Sequence, residues 1–440
     1  MSDAGTGEVG LVALVCCDLG AIVRGRSLPG AALEHPQAGV GWVPANHALT
    51  PIGTLADPNP FGSTGDLRLQ PDTSTRVRVD GEVGGDPLEF VLCDIAEIDG
   101  QPWECCPRTF LREAVEQLQA ELGLRVLASF EHEFQLLDQE PSALPFSLEA
   151  QRRAGRFPAR AMRALAQAGT QPERFMPEYA SHQFEIPVAA AEAIAAADRA
   201  VVLREVVREV ARREGRRATF TPLLDPAQAG NGVHIHLSLL DADGRAVLYD
   251  PSRAGALSEL GGSFAAGIVR HARALSALSA PSPVSAGRLG PHHWGAGAVC
   301  LGRQNRETLL RIPPLVTGAG GPERQLRLEY RAADAAANPY LALGALLRAG
   351  LQGVRDGLEP APILECDPAE LSAAEAERYG VGALPNSLSA ALAALAEDGT
   401  ARSWMTPLMY DAYVAVKRSE VEAAEGVDQA DLCARYGQIY

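Results

Sequence analysis

The sequence predicts an α+β protein, with a smaller sheet-rich unit over residues 1–104 and a larger unit over residues 105–440 in which helices alternate with charged strands. Two observations predict it. The first hundred residues hold short apolar runs separated by stretches rich in Pro, Gly, Asn and Asp, the pattern of strands and turns. After Pro107 the apolar period becomes that of helices, interrupted by segments that alternate strictly in period two.

In chain order, residues 9–23 are β-like and broken at Asp18–Leu19–Gly20, which reads as a hairpin. Residues 35–72, with Pro58–Asn59–Pro60 and Gly62–Ser63–Thr64–Gly65, read as loop with short strands. A further strand over 90–95 runs into the Asp99–Gly100 turn. Pro107 opens a helix with apolar positions at 110, 111, 115, 118 and 122. The alanine-rich run from Val188 to Glu214 is helical in period. Asn338–Pro339 supplies a cap and a proline for the first helical position, and that helix continues to about Gly357. Pro385–Asn386–Ser387 caps a helix ending near Asp398, and residues 406–425 form another.

The alternating segments carry the functional signal. In Phe130–Glu131–His132–Glu133–Phe134 the two glutamates share one face. In His182–Gln183–Phe184–Glu185–Ile186, Gln183 and Glu185 do. In Gly232–Val233–His234–Ile235–His236–Leu237–Ser238 the two histidines do, and in Leu326–Arg327–Leu328–Glu329–Tyr330–Arg331 the two arginines join Glu329. An ordinary half-buried sheet shows water a mixture of Thr, Lys, Gln and Ser. Faces of Glu/Glu, Gln/Glu, His/His and Arg/Glu/Arg read instead as the lining of a site for cations and anions together.

The totals bound what that site can serve. The chain has 440 residues, 47% hydrophobic and 21% charged, as in an ordinary globular protein. A net charge of −16 argues against nucleic acid as a partner, since displacing counterions needs a basic surface. Eight cysteines without CxxC spacing read as reduced thiols. Asp3 and Glu8 precede the first apolar run with no basic segment, so no signal peptide is expected. No apolar stretch reaches the roughly 18 residues of a membrane span. A cytoplasmic protein without membrane contact is the expectation.

Glu131, Glu133, Glu185 and Glu329 project from polar strand faces, and Glu178 precedes one of those strands. Two carboxylates about 4 Å apart repel by roughly 4 kcal/mol at an effective dielectric near 20. Several together call for hard divalent cations with oxygen ligands, with which an occasional imidazole is compatible. Arg306 and Arg311 lie five residues apart, and Arg327 and Arg331 flank Glu329. Guanidinium forks match phosphate and carboxylate oxygens, and metal with arginine is the equipment of phosphoryl transfer. No Walker A sequence and no GxGxxG after a strand is present.

These motifs, in this order, resemble those of the glutamine synthetase family over nearly the whole chain: Glu131–His132–Glu133, Glu178 to Glu185, Gly230–Asn231–Gly232–Val233–His234–Ile235–His236, Asn305–Arg306 to Arg311–Ile312–Pro313, Arg327 to Arg331, and Ala337–Asn338–Pro339–Tyr340. The resemblance implies a β-grasp-like N-terminal domain and a catalytic domain with a curved antiparallel sheet flanked by helices. It implies two or more ions per site, Mg²⁺ or Mn²⁺. Glu133, Glu178 and Glu185 would hold one ion on the amino-acid side, and Glu131, His234 and Glu329 another on the nucleotide phosphates. His236, Arg306, Arg311 and Arg331 would contact the transferring phosphate. Arg288 would bind the α-carboxylate of glutamate beside Gly230, with Ser238, Arg327 and Arg311 on the side of the co-substrate ATP. It also implies a homo-oligomeric ring, typically the dodecamer of two stacked hexamers.

The departures fall on the part of the family pattern that handles ammonia. Trp294 stands where the family has a flap glutamate that helps deprotonate ammonium. Trp42 to His47 has no counterpart of the Asp–Gly–Ser whose aspartate binds ammonium, Ala229 replaces an asparagine, and His182 replaces a glycine. An indole suits an organic ammonium, through cation–π and apolar contact worth about 0.5–2 kcal/mol. The expectation is an ATP-dependent ligase that activates the γ-carboxylate of glutamate and joins it to an alkyl amine, amino alcohol or polyamine, with His293 or His292 as candidate base. An ammonia-using glutamine synthetase and a catalytically silent assembly are the other readings.

Overall fold

The computed structural model describes residues 10–34, 39–81, 86–137, 143–290, 295–318 and 320–440. The first sheet comprises β1 (Leu11–Cys17), β2 (Val23–Pro29), β3 (Val40–Trp42), β4 (Leu67–Pro71), β5 (Val77–Val79) and β6 (Leu88–Ala96). Its order is β2–β1–β6–β4–β3, with β5 paired to β6. The β1–β2 hairpin is antiparallel and β1 runs parallel to β6, as a β-grasp-like unit requires. The hairpin turns where Asp18 stands, its Oδ1 accepting from the N–H groups of Gly20 at 2.9 Å and Ile22 at 2.8 Å.

The second sheet comprises β7 (Arg125–Leu137), β8 (Met176–Pro177), β9 (Gln183–Pro187), β10 (Ala191–Glu192), β11 (Arg217–Thr219), β12 (Val233–Leu240), β13 (Ala298–Arg303), β14 (Thr308–Ile312), β15 (Leu328–Tyr330) and β16 (Ile363–Leu364). The path runs β16–β13–β14–β15–β12–β7–β9–β8 and is antiparallel from β14 to β8. The pairings β13–β14 and β13–β16 at one edge are parallel, where the resemblance implies antiparallel pairing.

The apolar face of β7, with Phe130 and Phe134 buried, lies on the helix Ala193–Arg213. That helix packs in turn on Pro339–Arg355, which also meets Pro107–Leu122 and Glu259–Arg270. The last crossing is close. A Cβ at Gly267 would come within 2.2 Å of the Ala349 carbonyl oxygen, and one at Gly353 within 2.2 Å of that of Ser263. Only glycine permits it. The expected helices after Pro107, Asn338 and Ser387 form, and Asn338 and Ser387 act as side-chain caps. Helices at Phe157–Gln167, Glu259–Arg270, Ala272–Ser279 and Gln429–Gly437 add to those expected. All eight cysteines are free thiols, and only Cys366 is exposed. Among the described residues no helix is long and apolar enough to cross a membrane.

Candidate active site

Strand register assembles the site. β7 lies between β9 and β12, which sets Glu133 opposite Glu185, Gln135 opposite Gln183 and Glu131 opposite His234. β15, on the far side of β12, sets Glu329 opposite His236, and β14 sets Arg311 opposite Glu329. Directly opposed residues share a face of the sheet. The four alternating segments therefore merge into one charged surface.

Two donor groups form on it: Glu131 with His236 and Glu329, and Glu131 with Glu185 and His234, their ligand atoms all within 4.8 Å of one another. β12 sits between β7 and β15, so Glu131 and Glu329 reach its histidines from opposite sides. His234 Nδ1 lies 3.6 Å from Glu131 Oε2 and 3.9 Å from Glu329 Oε1. His236 Nε2 lies 3.1 Å from Glu131 Oε1, while its Nδ1 accepts from Arg327 Nε at 3.1 Å. Glu133 is turned to one side, its Oε2 accepting from Gly232 N–H at 2.7 Å and from Gln183 Nε2 at 3.3 Å.

The charges are divided unequally. Burial alone would raise the Glu329 carboxyl, but Arg331, His234, His236 and Arg311 outweigh it and bring the group down to about 2. Arg311 donates to Glu329 Oε2 at 2.6 Å and Arg331 pairs with Oε1. Glu185 goes the other way: burial, then Glu131, Glu133 and Glu178, push it far above the carboxylate range. Burial and then Glu133 push Glu178 up to about 8, against the pull of Arg306. One side of the site is neutralised by arginine. The other is not.

The remaining expected residues lie around this centre. Arg306 is exposed, and its carbonyl accepts from Arg331 Nε at 3.0 Å. Arg288 is buried beside Gly230 and Gly232, with a Cβ at Gly230 falling 2.7 Å from its Cγ. The Gly230 carbonyl accepts from Gln183 Nε2 at 2.8 Å. Ser238 and Arg327 line a cleft of about 930 Å³ together with His236 and Glu131. His292, His293 and Trp294 lie outside the described residues.

Arg174, Asn231 and Gln135 are further residues beside the site, in addition to Gln183. Arg174 lines the cleft and stands 4.0 Å from Glu131, but it comes from a loop with no periodic signal. Asn231 bridges Gln183 and Gln135 and donates to the Thr221 carbonyl at 2.8 Å. Gln183 sits on the polar face of its strand, which was the signal available; Asn231 and Gln135 act through contacts between strands.

Comparison with known proteins decides the family. Residues 104–433 match the family described as glutamine synthetase, catalytic domain, and residues 1–103 match the glutamine synthetase N-terminal domain. The chain belongs to the glutamine synthetase family. Among its glutamine synthetase-family relatives, the gamma-glutamylpolyamine synthetase of Streptomyces coelicolor is 34% identical, over 99% of this chain and 94% of its own. The glutamate–isopropylamine ligase of a Pseudomonas species is 30% identical over 81% of each chain. A crystal structure described as a novel glutamine synthase homolog superposes with a TM-score of 0.91 and 45% identity over the full length of both chains. The chain is accordingly an ATP-dependent ligase that forms carbon–nitrogen bonds, in a family that uses divalent metal ions.

The donor set fits such ions. Oxygen donors dominate, joined by two imidazoles, as hard divalent cations accept. His236 Nε2 is buried without an aligned hydrogen bond among the described residues, and Glu185 faces three other carboxylates. Such groups are costly to bury unless a cation meets them.

Proposed function

We propose that this chain activates the γ-carboxylate of glutamate by phosphorylation and joins it to an organic amine, forming a γ-glutamyl amine. A carboxylate oxygen attacks the γ-phosphorus of ATP and ADP leaves; the neutral amine then attacks the acyl carbon and phosphate leaves. Arg288 receives the α-carboxylate. Arg306, Arg311, Arg331 and His236 surround the phosphoryl group in transfer and offset the charge that builds on its oxygens. Ser238, Arg327 and Arg311 hold the nucleotide in the cleft. Glu131, Glu133, Glu178, Glu185, His234 and Glu329 hold two or more Mg²⁺ or Mn²⁺ ions, whose chemistry, once bound, is to neutralise phosphate and carboxylate oxygens. His293 is the candidate base and Trp294 the face against which the amine lies. Residues 1–104 present their loop to a neighbouring subunit of a ring, and residues 105–440 carry the reacting groups, in the cytoplasm.

The observation that carries the amine assignment is the N-terminal segment where the family holds ammonium. Trp42 to His47 contains no carboxylate, and its histidine is turned inward. His47 is fully buried, with ring centroids 6.5 Å from Trp42 and 5.0 Å from Trp103. A segment built this way offers no carboxylate to hold and deprotonate a small cation. The printed names of the polyamine and isopropylamine relatives support the same reading.

The test is ADP release by purified protein with Mg²⁺, ATP and glutamate across alkyl amines, amino alcohols, polyamines and ammonium, with products weighed by mass spectrometry. Turnover with organic amines and little with ammonium is the expected result. Preference for ammonium would replace the proposal with glutamine synthesis, and silence with every amine would leave the non-catalytic reading.

A further inference from the structure

Gln183 is 3% exposed, and its amide meets more acceptors than it can serve. Nε2 stands 2.8 Å from the Gly230 carbonyl oxygen, 3.0 Å from Asn231 Oδ1 and 3.3 Å from Glu133 Oε2. A side-chain amide carries two N–H hydrogens, so three acceptors compete for two donors. The backbone fixes which end of the amide is nitrogen, because Oε1 accepts from the buried Ala180 N–H at 2.8 Å. Turning the amide over would leave that N–H unpaired, which is costly in the interior.

The acceptors are themselves anchored. Asn231 is 1% exposed; its Nδ2 donates to the Thr221 carbonyl at 2.8 Å and to Gln135 Oε1 at 3.3 Å, and its N–H donates to the Pro222 carbonyl at 2.9 Å. Gln135 Nε2 in turn donates to the Ser181 carbonyl at 3.0 Å. Glu133 Oε2 also accepts from the Gly232 N–H at 2.7 Å, while its Oε1 has no hydrogen-bond partner among the described residues. The strip from 230 to 232 is tightly placed, since a Cβ at Gly230 would stand 2.2 Å from the Pro222 carbonyl oxygen and 2.7 Å from Arg288 Cγ. One buried amide therefore touches both a carboxylate with an open oxygen and the backbone carbonyl beside Arg288.

We propose that Gln183 is a positioning residue that couples the ion on Glu133 to the acid substrate. A cation on Glu133 weakens Oε2 as an acceptor. The two N–H groups then go in full to Asn231 and to the Gly230 carbonyl, which fixes the strip against which the acid substrate lies. Ion and substrate favour each other through this amide, and by linkage each tightens the other by the same factor. The inference rests on the proposed function, in which Glu133 holds an ion and the acid substrate lies at Arg288 beside Gly230.

The experiment is calorimetric titration of glutamate into the metal-free full-length protein and into the protein saturated with Mn²⁺, for wild type, Gln183→Met and Asn231→Ala. The quantity read is the factor by which Mn²⁺ tightens glutamate, which is separate from any weakening of either ligand alone. Gln183→Met keeps the length of the side chain and removes both N–H groups. Asn231→Ala removes one rival and leaves a hydrogen for each remaining acceptor; it also covers the case in which Gln183→Met fails to fold. Wild type is expected to show a factor of about five or more, and each variant a factor below about two. A factor of wild-type size in either folded variant would overturn the proposal, because direct attraction between ion and substrate needs no amide. A wild-type factor of one would overturn it too, while glutamate binding itself would leave the acid assignment standing. A wild-type protein that binds no glutamate under either condition would overturn that assignment as well. Amine preference plays no part in these titrations.

Discussion

Around Arg108, the carboxylates of Asp72, Asp94 and Asp198 close on one guanidinium; on the charged face of the larger sheet, Glu131, Glu133, Glu178 and Glu185 close on one another. Arg108 donates to Asp198 at 3.0 and 2.9 Å, to Asp72 at 2.7 Å and to Asp94 at 3.1 Å. Arg112 adds a second cation on Asp94 at 2.8 Å, and Tyr340 donates to Asp198 at 2.6 Å. Four elements of the fold are tied there: the first sheet and the Pro107–Leu122, Ala193–Arg213 and Pro339–Arg355 helices. Among the described residues the sheet face has no such centre. Its arginines Arg311 and Arg331 are taken up by Glu329, and the nearest cation to Glu131, Arg174, is 4.0 Å away and more than half exposed. One acidic cluster is completed by the chain and serves the fold. The other has a donor set that fits ions, and in the proposed function it serves the reaction.

That contrast can be broken by substitution. Glu131 belongs to both donor groups, so Glu131→Gln should lower kcat/KM by at least about a hundredfold while the melting temperature stays near that of wild type. A variant that loses stability along with activity would make the face structural after all. Arg108→Ala should do the reverse. Leaving the buried Asp198, with the half-buried Asp72 and Asp94, without their cation should cost about 3–5 kcal/mol in denaturant unfolding, and a loss under 1 kcal/mol would contradict the assigned role.

Smaller effects sharpen it. Mn²⁺ at a hundredfold its Kd should raise the stability of the metal-free protein by about 2.7 kcal/mol per independent site, and Glu131→Gln should remove most of that rise. Equal rises in both proteins would place the ions elsewhere. A further test concerns His47, which burial brings down to about 3 from its ordinary 6.5. The folded state keeps this ring neutral while the unfolded chain protonates below about 6.5, so its contribution is full above that pH and is lost as pH falls toward 3. His47→Leu should reduce the slope of stability against pH in that window by at most about 1.4 kcal/mol per unit. An unchanged slope would remove His47 from the acid limb.

Legibility in the sequence followed the strength of local pattern. Strands β7, β9 and β12 were readable because each sets charge against apolar residues in period two, and the helix after Asn338 because its cap and proline are adjacent. The Glu259–Arg270 helix was not among those expected; Gly261, Gly262 and Gly267 weaken its helical pattern, while Gly267 serves a helix crossing. The segment Leu326 to Arg331 alternates throughout, yet only Leu328–Tyr330 pairs as strand, with Arg327 turned to His236 and Arg331 to the Arg306 carbonyl. That these charged residues lie on strand faces was legible, but which of them the sheet sets side by side was not. Which histidine meets which glutamate depends on the order of β7, β12 and β15 across the sheet, and no single segment encodes that order.

The most direct test of the contrast is a count of bound Mn²⁺ on the metal-free full-length protein, by electron paramagnetic resonance, beside Glu131→Gln and Arg108→Ala. At least two saturable ions per chain in wild type, fewer in Glu131→Gln and an unchanged number in folded Arg108→Ala are predicted. No saturable binding in wild type, or the same number in Glu131→Gln, would contradict the assignment of this face to ions.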